Sequence, residues 1–452
     1  MHRADPGDTA ISPQLKRGLA LAWVGIVLLV GTCIFLASWW NRRAVQGLPP
    51  GAAASQQTPT PPPGGERAPT QPGVVLITAA APAQPSGVAG GTPALAPTPL
   101  PVMDRSFGYG IIVQATYDTD RTLDQVQQLD LGWIKQPVRW SDVEPEPGQP
   151  DWSALDAVFL SAAAHSLRVL VTVSAAPAWA RSVTAGHLDG PPDDVQAYVN
   201  FVSQLIQRYQ GMIHAVEVWA EMNREQEWYV AGGLSSAAYM ELLVPTAQAV
   251  HQLDPGLIVI SGGLNPTGID DGMMAIDDFR YLREMIDAGL LDVVDCVGVH
   301  HKGYNLPPHL PYDAEINDPS ARFRQPMDNP HHSWSFYSTL RGYRDLVAAA
   351  GRETPLCVTE FGWASGEDLP RRDVPDFVRD NTLEEQASYI VQAFDLMHDW
   401  GFVWLAMLSN LDYSPAADSG ANSDLAAYYR ITTPDGMPRP AFEALQAMPK
   451  RP

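Results

Sequence analysis

The feature that most constrains the fold is an eightfold alternation of short apolar segments with longer helical ones. Eight runs of β-branched or apolar residues, each bounded by turn residues, predict strands at 107–112, 134–140, 168–174, 215–221, 257–263, 296–301, 355–363 and 403–410. The segments between and after them have the apolar period of helices and predict helices over 122–131, 152–166, 195–209, 235–253, 279–290, 333–350, 383–400 and 439–448.

This alternation favours a closed (β/α)8 barrel, the TIM barrel. Parallel strands need crossover connections, which the helices supply, and eight such strands close the sheet on itself. A doubly wound open sheet is the rival. It usually carries a glycine-rich phosphate-binding turn after its first strand, and Tyr109-Gly110-Ile111 is no such turn. We therefore expect an α/β fold with the (β/α)8 barrel over 106–452.

The chain before the barrel has a different composition. From Gly18 to Trp40 it has 23 residues without a charge, long enough as a helix to span the hydrocarbon layer. The run ends in a Trp pair followed by Arg42-Arg43, which favours a transmembrane helix over a cleaved signal peptide. We predict an N-terminal tail over 1–17, a transmembrane helix over 18–40 and a disordered Pro/Ala/Thr-rich linker over 41–105.

Basic residues flank the predicted membrane helix on both sides. Their slight asymmetry favours a cytoplasmic N-terminus, so we expect a single-pass protein of the cell membrane with an extracytoplasmic barrel. The whole chain has 29 Lys and Arg against 51 Asp and Glu, a net charge of −22, and the acidic excess lies within the barrel region. Such a surface repels phosphate backbones, so nucleic acid is excluded as a partner.

Three cysteines are too few for a disulfide-rich scaffold. Cys33 lies in the apolar run, and Cys296 and Cys357 fall inside predicted strands. We interpret all three as buried thiols, an interpretation that leaves the redox compartment open.

In a (β/α)8 barrel the functional groups lie where the strands end, at the carboxyl-terminal mouth. Glu221 ends the fourth predicted strand and Glu360 lies in the seventh, so the two carboxyl groups should converge across the mouth. Such a pair suits cleavage of a glycosidic bond, and indole rings offer flat apolar faces to sugars. The residues predicted to bind the substrate around this pair are Arg139, Trp179, Asn265, His300, Lys302, Tyr304 and Trp363.

The pair His300-His301 raises the question of a metal site. Adjacent residues of a strand point to opposite faces, so at most one of the two imidazoles faces the mouth. No further ligand spacing accompanies them, so we expect neither a metal nor a cofactor. His331-His332 lies in the Pro-rich stretch 305–332, which is too irregular to place.

Two longer motifs carry a resemblance to a known group of enzymes. The runs 216–223 (VEVWAEMN) and 358–363 (VTEFGW) resemble the fourth- and seventh-strand motifs of clan A glycoside hydrolases, above all family 39 and cellulase-like family 5 members. Supporting stretches at 139–148, 254–255, 261–263 and 295–300 follow in the same order, over about residues 107–448. The resemblance implies a retaining glycosidase for a β-linked glycan, with Glu221 as acid/base and Glu360 as nucleophile.

The chain differs from that family at three positions near the site. Ala220 and Met222 flank Glu221 where the family has Asn and Pro, and Lys302 stands where the family tends to place Tyr. An amide at position 220 would hydrogen-bond the sugar 2-hydroxyl in the transition state. A second hypothesis therefore stays open: a catalytically weak or inactive barrel that binds glycan or serves as an extracytoplasmic subunit of a membrane assembly, with membrane-protein partners.

Overall fold

The computed structural model describes residues 105–184, 188–314, 331–369, 376–412, 423–433 and 435–452. The predicted tail over 1–17, the predicted transmembrane helix over 18–40 and all but the last residue of the predicted linker lie outside the described residues. Within the described ranges, no helix has both the length and the apolar character that crossing a membrane requires.

Eight parallel strands form one sheet in the order β5-β4-β3-β2-β1-β8-β7-β6. The strands are β1 Gly108–Ile112, β2 Trp133–Arg139, β3 Arg168–Ser174, β4 Ala215–Val218, β5 Ile258–Ser261, β6 Val297–Gly303, β7 Leu356–Trp363 and β8 Val403–Leu408. The main helices are α1 Thr119–Gln128, α2 Ser153–Ala164, α3 Val195–Arg208, α4 Ser236–Leu253, α5 Asp278–Asp287, α6 Phe336–Ala349, α7 Leu383–Trp400 and α8 Pro440–Ala447. Every predicted boundary lies within three residues of the observed one, so the predicted (β/α)8 fold is confirmed.

Shorter helical turns occur in the connections. They are Trp140–Val143, Ala178–Ala180, Leu290–Asp292, His332–Trp334, Asp376–Arg379 and Ser423–Ala426.

The barrel closes between β5 and β6. Isolated bridges pair Ile260 with Cys296 and Leu264 with Val299, and the Gly298 N–H donates to Ser261 Oγ at 3.0 Å. A Cβ added at Gly298 would lie 2.0 Å from the Ser261 carbonyl oxygen, so only glycine allows the two backbones to approach this closely. Because β5 and β6 are joined by isolated bridges and not by a continuous ladder, the barrel is nearly closed.

Helix α3 illustrates why the helices form and which face they bury. The Asp194 side chain caps its N-terminus by accepting from the Gln196 N–H at 2.9 Å. Its buried residues recur at helical spacing and form one stripe against the sheet: Tyr198, Val199, Phe201, Val202, Leu205 and Ile206. Phe201 stacks on the indoles of Trp140 and Trp152, with centroids 5.3 and 5.6 Å away. The main core thus lies between the sheet and the helices.

A second apolar cluster fills the interior of the barrel. Its buried members come from seven strands and their flanking residues: Ile112, Trp133, Leu170, Ala215, Ile258, Ile260, Cys296, Cys357, Leu405 and Met407. The lower part of the barrel is therefore a packed core.

The interpretation of Cys296 and Cys357 as thiols is wrong. The two side chains form a disulfide between the neighbouring strands β6 and β7, with Cα atoms 5.7 Å apart. Both side chains face the barrel interior, where cross-strand neighbours come within disulfide distance. Cys33 lies outside the described residues.

Candidate active site

A sharp turn aims Glu221 into the barrel mouth. Strand β4 ends at Val218, and Trp219 and Glu221 then adopt left-handed backbone conformations, with φ of 67° and 51°. The Glu221 N–H donates to the Gly263 carbonyl at 2.8 Å, which holds the turn against the segment after β5. Left-handed conformations are costly for non-glycine residues and persist where the surroundings enforce them. They also explain why the predicted strand 215–221 ends three residues early.

A register shift brings Glu360 into the same space. Val299 pairs with Val358 but His300 pairs with Glu360, so Thr359 is an extra residue on β7. Such a bulge turns two successive side chains toward one face. Thr359 donates to Glu217 inside the barrel, and Glu360 faces the mouth beside His300.

The His300 imidazole joins the two carboxylates. Its Nδ1 lies 3.0 Å from Glu221 Oε1 and 3.3 Å from Glu360 Oε2. One oxygen of each carboxylate and one nitrogen of His300 all lie within 4.8 Å of one another. A Cβ added at Gly263 would lie 2.2 Å from the imidazole, so glycine at this position leaves the space that His300 occupies. The predicted convergence of Glu221 and Glu360 is thus seen in the geometry.

Each carboxylate also has a cation of its own. Arg224 Nη1 contacts Glu221 Oε2, which accepts a further hydrogen bond from Asn265 Nδ2 at 2.8 Å. Lys302 Nζ contacts Glu360 Oε1 and lies 5.4 Å from the centroid of the Tyr429 ring. Both carboxylates are therefore paired before any ligand binds.

These cations determine the charge of the pair. Burial raises the pKa of Glu221, but Arg224, His300 and Lys302 outweigh it and hold this pKa well below its ordinary value. Burial likewise raises the pKa of Glu360, and Lys302 and His300 hold it below its ordinary value. Both groups are ionised at neutral pH in the ligand-free protein.

A third carboxylate, Glu217, lies beneath them in the barrel interior with no exposed surface. Lys135 Nζ lies 2.8 Å from Glu217 Oε2, and Thr172 Oγ1 donates to the same oxygen. Glu217 Oε1 accepts from Thr359 Oγ1 and from the Gly263 N–H at 2.6 and 3.0 Å. Burial raises the pKa of Glu217, but Lys135 and His300 hold that pKa far below its usual range. This carboxylate is therefore a buried anion that binds several strands together.

The mouth opens into a cleft of about 630 Å³, within the usual range for small-ligand sites. Besides the paired carboxylates, its walls include Arg224, Glu227, Met274, Leu425 and Tyr429. Burial, together with the negative charges of Glu221 and Asp189, raises the pKa of Glu227 to about 7. The cleft thus contains one carboxyl group that titrates near neutrality beside two that remain ionised.

The structure brings six of the nine predicted site residues together in this cleft: Glu221, Glu360, Asn265, His300, Lys302 and Tyr304. The pair His300-His301 divides as expected, because His301 is fully buried on the other face of β6 against Phe336. Burial and the nearby His332 lower the pKa of His301 to about 3. It therefore remains a neutral core residue.

Three predicted residues lie elsewhere. Arg139 makes a bidentate ion pair with Asp189, at 2.7 and 3.0 Å, outside the cleft lining. Trp179 is 39% exposed, but its indole N–H donates to the Glu144 carbonyl and its ring is not part of the cleft wall. Trp363 is fully buried and its indole N–H donates to the Leu306 carbonyl at 2.9 Å.

The position of Trp363 follows from the period of the strand. It lies three residues after Glu360 on β7, and residues an odd number apart point to opposite faces. With Glu360 facing the mouth, Trp363 faces the helices, where it packs against Phe336 and Tyr389. The alternation of side chains along this strand could be read from the sequence, and it argues against placing Trp363 in the cleft.

The sequence reasoning missed Arg224, Glu227 and Glu217 as functional groups. Arg224 and Glu227 come three and six residues after Glu221, in the connection between β4 and α4, and charged residues directly after a barrel strand are a signal for mouth positions. Glu217 precedes Glu221 by four residues in an apolar strand. A charge at such a position signals an interior ion pair, but its partner Lys135 comes from a distant strand.

Glu221, His300 and Glu360 could in principle chelate a metal ion, because their ligand atoms lie within 4.8 Å of one another. Arg224 and Lys302, however, already neutralise the two carboxylates. A divalent cation would meet two neighbouring positive charges at close range, so the donor set does not suit a metal.

Neither a protein-family model nor a curated protein matches the chain. Solved structures do. A family 39 glycoside hydrolase from Bacteroides cellulosilyticus WH2 is similar over 76% of this chain, with a TM-score of 0.55 and 17% identity. A family 39 β-xylosidase from Caulobacter crescentus is similar over 77% of this chain and 72% of its own length, with a TM-score of 0.52 and 18% identity.

An exo-β-1,4-mannosidase from Opitutaceae bacterium strain TAV5 is similar over 76% of this chain, with a TM-score of 0.50 and 16% identity. The chain spans 63% of the length of the Bacteroides protein and 59% of the length of the mannosidase. At these identities the likeness shows the barrel fold alone.

The buried pair Lys135–Glu217 generates a prediction about stability. Lys135→Met should lower the free energy of unfolding by about 3–5 kcal/mol, because it leaves a buried carboxylate without its cation. The double change Lys135→Met, Glu217→Gln removes both charges and should recover most of this loss. Urea denaturation of the three proteins measures both effects. A single-variant loss below about 1 kcal/mol would show that the other donors suffice for Glu217.

Proposed function

We propose that the protein is a membrane-anchored retaining glycoside hydrolase that acts on a β-linked glycan or glycoside. The observation that carries this proposal is the pair Glu221 and Glu360, which converges on His300 inside a cleft at the barrel mouth. The barrel likeness to glycoside hydrolases supports a carbohydrate as the substrate class.

The spacing of the carboxylates favours retention of anomeric configuration. Retaining pairs have carboxyl groups about 5–5.5 Å apart, whereas inverting pairs are about 6.5–9.5 Å apart to leave room for a water molecule. Here oxygens of Glu221 and Glu360 approach within 4.8 Å. In the proposed reaction Glu360 attacks the anomeric carbon while Glu221 gives a proton to the departing oxygen. Glu221 then takes a proton from the water that hydrolyses the glycosyl-enzyme ester.

The charge state of the site sets the rate expected of this reaction. Glu360 is ionised, as a nucleophile must be, but its pairing with Lys302 lowers its basicity. Glu221 is held ionised by Arg224, whereas a proton donor must carry its proton. We therefore propose slow hydrolysis of substrates whose leaving group needs a proton.

A second candidate function is glycan binding without hydrolysis. It is favoured by the ion pairs Arg224–Glu221 and Lys302–Glu360, which occupy both carboxylates, and by Ala220, which offers no amide to a sugar hydroxyl. In this case the barrel would serve as an extracytoplasmic recognition subunit of a membrane assembly.

Anchoring rests on the apolar run 18–40, and the extracytoplasmic location has independent support. The disulfide Cys296–Cys357 is of a kind that forms and persists in oxidising compartments and is rare in the cytosol. We propose that the barrel lies outside the cytoplasm and is tethered by the linker 41–105.

The two candidate functions differ in their response to loss of the carboxylates. If the protein is a glycosidase, the full chain should hydrolyse chromogenic β-glycosides, and Glu221→Ala should lower turnover by about 10²–10⁴-fold, least for good leaving groups. Glu360→Ala should abolish turnover and NMR should show retained configuration in the wild-type product. Binding of oligosaccharides by calorimetry, without hydrolysis on a broad panel, would instead establish the second candidate.

Arg224→Gln tests the role of the guanidinium in setting the acid. The proton-donating form of Glu221 falls about tenfold for each pH unit above its pKa, and removing Arg224 raises that pKa. The high-pH limb of kcat/KM for alkyl glycosides should therefore move to higher pH, with about tenfold more activity on that limb for each unit of pKa. Dinitrophenyl glycosides, whose leaving group needs no proton, should change little.

Arg208→Gln is the matched control for Arg224→Gln. Arg208 pairs with Asp156 on the outer helices and should leave the pH profile unchanged. An unchanged profile in Arg224→Gln as well would mean that Arg224 does not set the protonation of the acid.

The proposed topology is tested by limited proteolysis of intact cells or spheroplasts. The linker 41–105 is rich in Pro, Ala, Thr and Gly and should be the most protease-sensitive part of the chain. We expect external protease to release a folded barrel, detected by immunoblotting against its C-terminus. Release only after membrane permeabilisation would place the barrel in the cytoplasm.

A further inference from the structure

Glu227 is a carboxyl group of the cleft that takes no part in the reaction of Glu221 with Glu360. It lies on the connection between β4 and α4 and lines the cleft. Within the described ranges no hydrogen-bond donor reaches its carboxyl group, yet its oxygens are not among the fully enclosed polar atoms. These oxygens are therefore open to solvent, and the cleft is the solvent space that the residue lines.

The positive groups near Glu227 are already paired with other carboxylates. Arg139 donates two hydrogen bonds to Asp189, at 2.7 and 3.0 Å, and Arg224 contacts Glu221. Over the part of the chain that the structure describes, no Lys, Arg or His nitrogen lies within ion-pair distance of the Glu227 carboxyl group. This group is therefore the one most able to hold a proton among the acids that line the cleft.

Hydrogen bonds fix the backbone at Glu227 on two sides. Trp219, in the turn that aims Glu221 into the mouth, donates its indole N–H to the Glu227 carbonyl at 2.9 Å. On the other side, the Asp189 N–H donates to the Gln226 carbonyl at 3.0 Å. Glu221 and Glu227 therefore belong to one hydrogen-bonded turn, and their relative positions are fixed before a ligand binds.

The charge of Arg224 shows that Glu227 lies close to the reacting carboxylates. Burial lowers the pKa of Arg224, but the negative charges of Glu221, Glu227 and Glu360 outweigh burial and raise it above its ordinary value. One guanidinium thus interacts with all three carboxyl groups of the cleft.

We propose that Glu227 is a second proton donor of the cleft, which at neutral pH gives its proton to the departing oxygen of a glycoside, directly or through one water molecule. This role rests on the proposed glycosidase function. It adds to Glu221 a donor that carries a proton under conditions in which Glu221 does not.

The protons balance over one turnover. The bond from the anomeric carbon to the departing oxygen breaks, Glu360 forms its ester with that carbon, and the proton of Glu227 leaves with the alcohol. Water then attacks the ester and gives a proton to Glu221, which is ionised until this step. This proton passes to solvent, and Glu227 takes one from solvent, so both acids return to their starting states.

The charged groups that surround Glu227 favour its protonated form. Burial raises its pKa to about 7, together with the charges of Glu221 on the same connection and Asp189 on the β3–α3 connection. Arg224 and Arg139 oppose this rise and offset only part of it. At pH 7 about half of the molecules carry this proton, and at pH 6 most do.

The experiment compares Glu227→Gln with the wild type on alkyl and dinitrophenyl β-glycosides across pH. Gln keeps the size of the side chain but has no proton to give. At pH 6, kcat/KM for alkyl glycosides should fall by about 10²-fold or more, whereas dinitrophenyl glycosides, whose leaving group needs no proton, should change little. The wild-type limb near pH 7, along which activity is lost as the pH rises, should move to lower pH, where Glu221 gains its proton.

Glu225→Gln is the matched control, because Glu225 lies two residues before Glu227 on the same connection but does not line the cleft. It should keep the wild-type profile on both substrates. Carboxyl ¹³C NMR of the ligand-free wild type should show a group that titrates near pH 7 and is missing from Glu227→Gln.

Three results would overturn the role of Glu227 and leave the glycosidase function standing. They are an unchanged alkyl profile in Glu227→Gln, an equal loss on both substrate classes, and a wild type without a carboxyl group that titrates near pH 7. In each case the wild type would still hydrolyse dinitrophenyl glycosides. Absence of hydrolysis on every substrate would overturn both the glycosidase function and the role of Glu227.

Discussion

The arrangement of the barrel mouth depends on the buried carboxylate of Glu217. Its oxygens contact the side chains of three strands: Lys135 on β2, Thr172 on β3 and Thr359 on β7. They also accept a hydrogen bond from the Gly263 N–H after β5. His300 of β6 lies 3.4 Å away. An anion without solvent contact is stable only when several donors surround it, so the strands that carry these donors must keep their register. The same register positions the residues nearer the mouth, where His300 contacts Glu221 and Glu360.

Two features of β6 and β7 hold the other side of the mouth. The disulfide Cys296–Cys357 ties the strands together below the site, and the extra residue Thr359 turns Glu360 toward His300 above it. A bulge of this kind serves to redirect a side chain, and the disulfide restricts the strands that flank it. These two strands position the charged pair Lys302 and Glu360.

The charge pattern of the cleft bears on the proposed chemistry. A glycosidase of the retaining type needs one protonated and one ionised carboxyl group. Here Arg224 and Lys302 favour the ionised form of both Glu221 and Glu360, while Glu227 in the same cleft titrates close to neutrality. With Glu221 as the acid, hydrolysis of a substrate whose leaving group needs a proton therefore depends on the proton affinity of Glu221, which Arg224, His300 and Lys302 all lower.

The sequence by itself determined the fold and the positions of the two carboxylates, because both follow from local patterns. The apolar periods of strands and helices predict all eight βα units. Residues at the carboxyl ends of parallel strands converge at one mouth, and the structure has Glu221, Glu360, His300 and Lys302 there, as this rule predicts. Only the tertiary structure decided which partners they have. The tertiary structure also decided the disulfide, the pairing of Glu217 with Lys135 and the burial of Trp363 in the core. These features depend on strand register and on contacts between segments far apart in sequence, which a local sequence pattern does not contain.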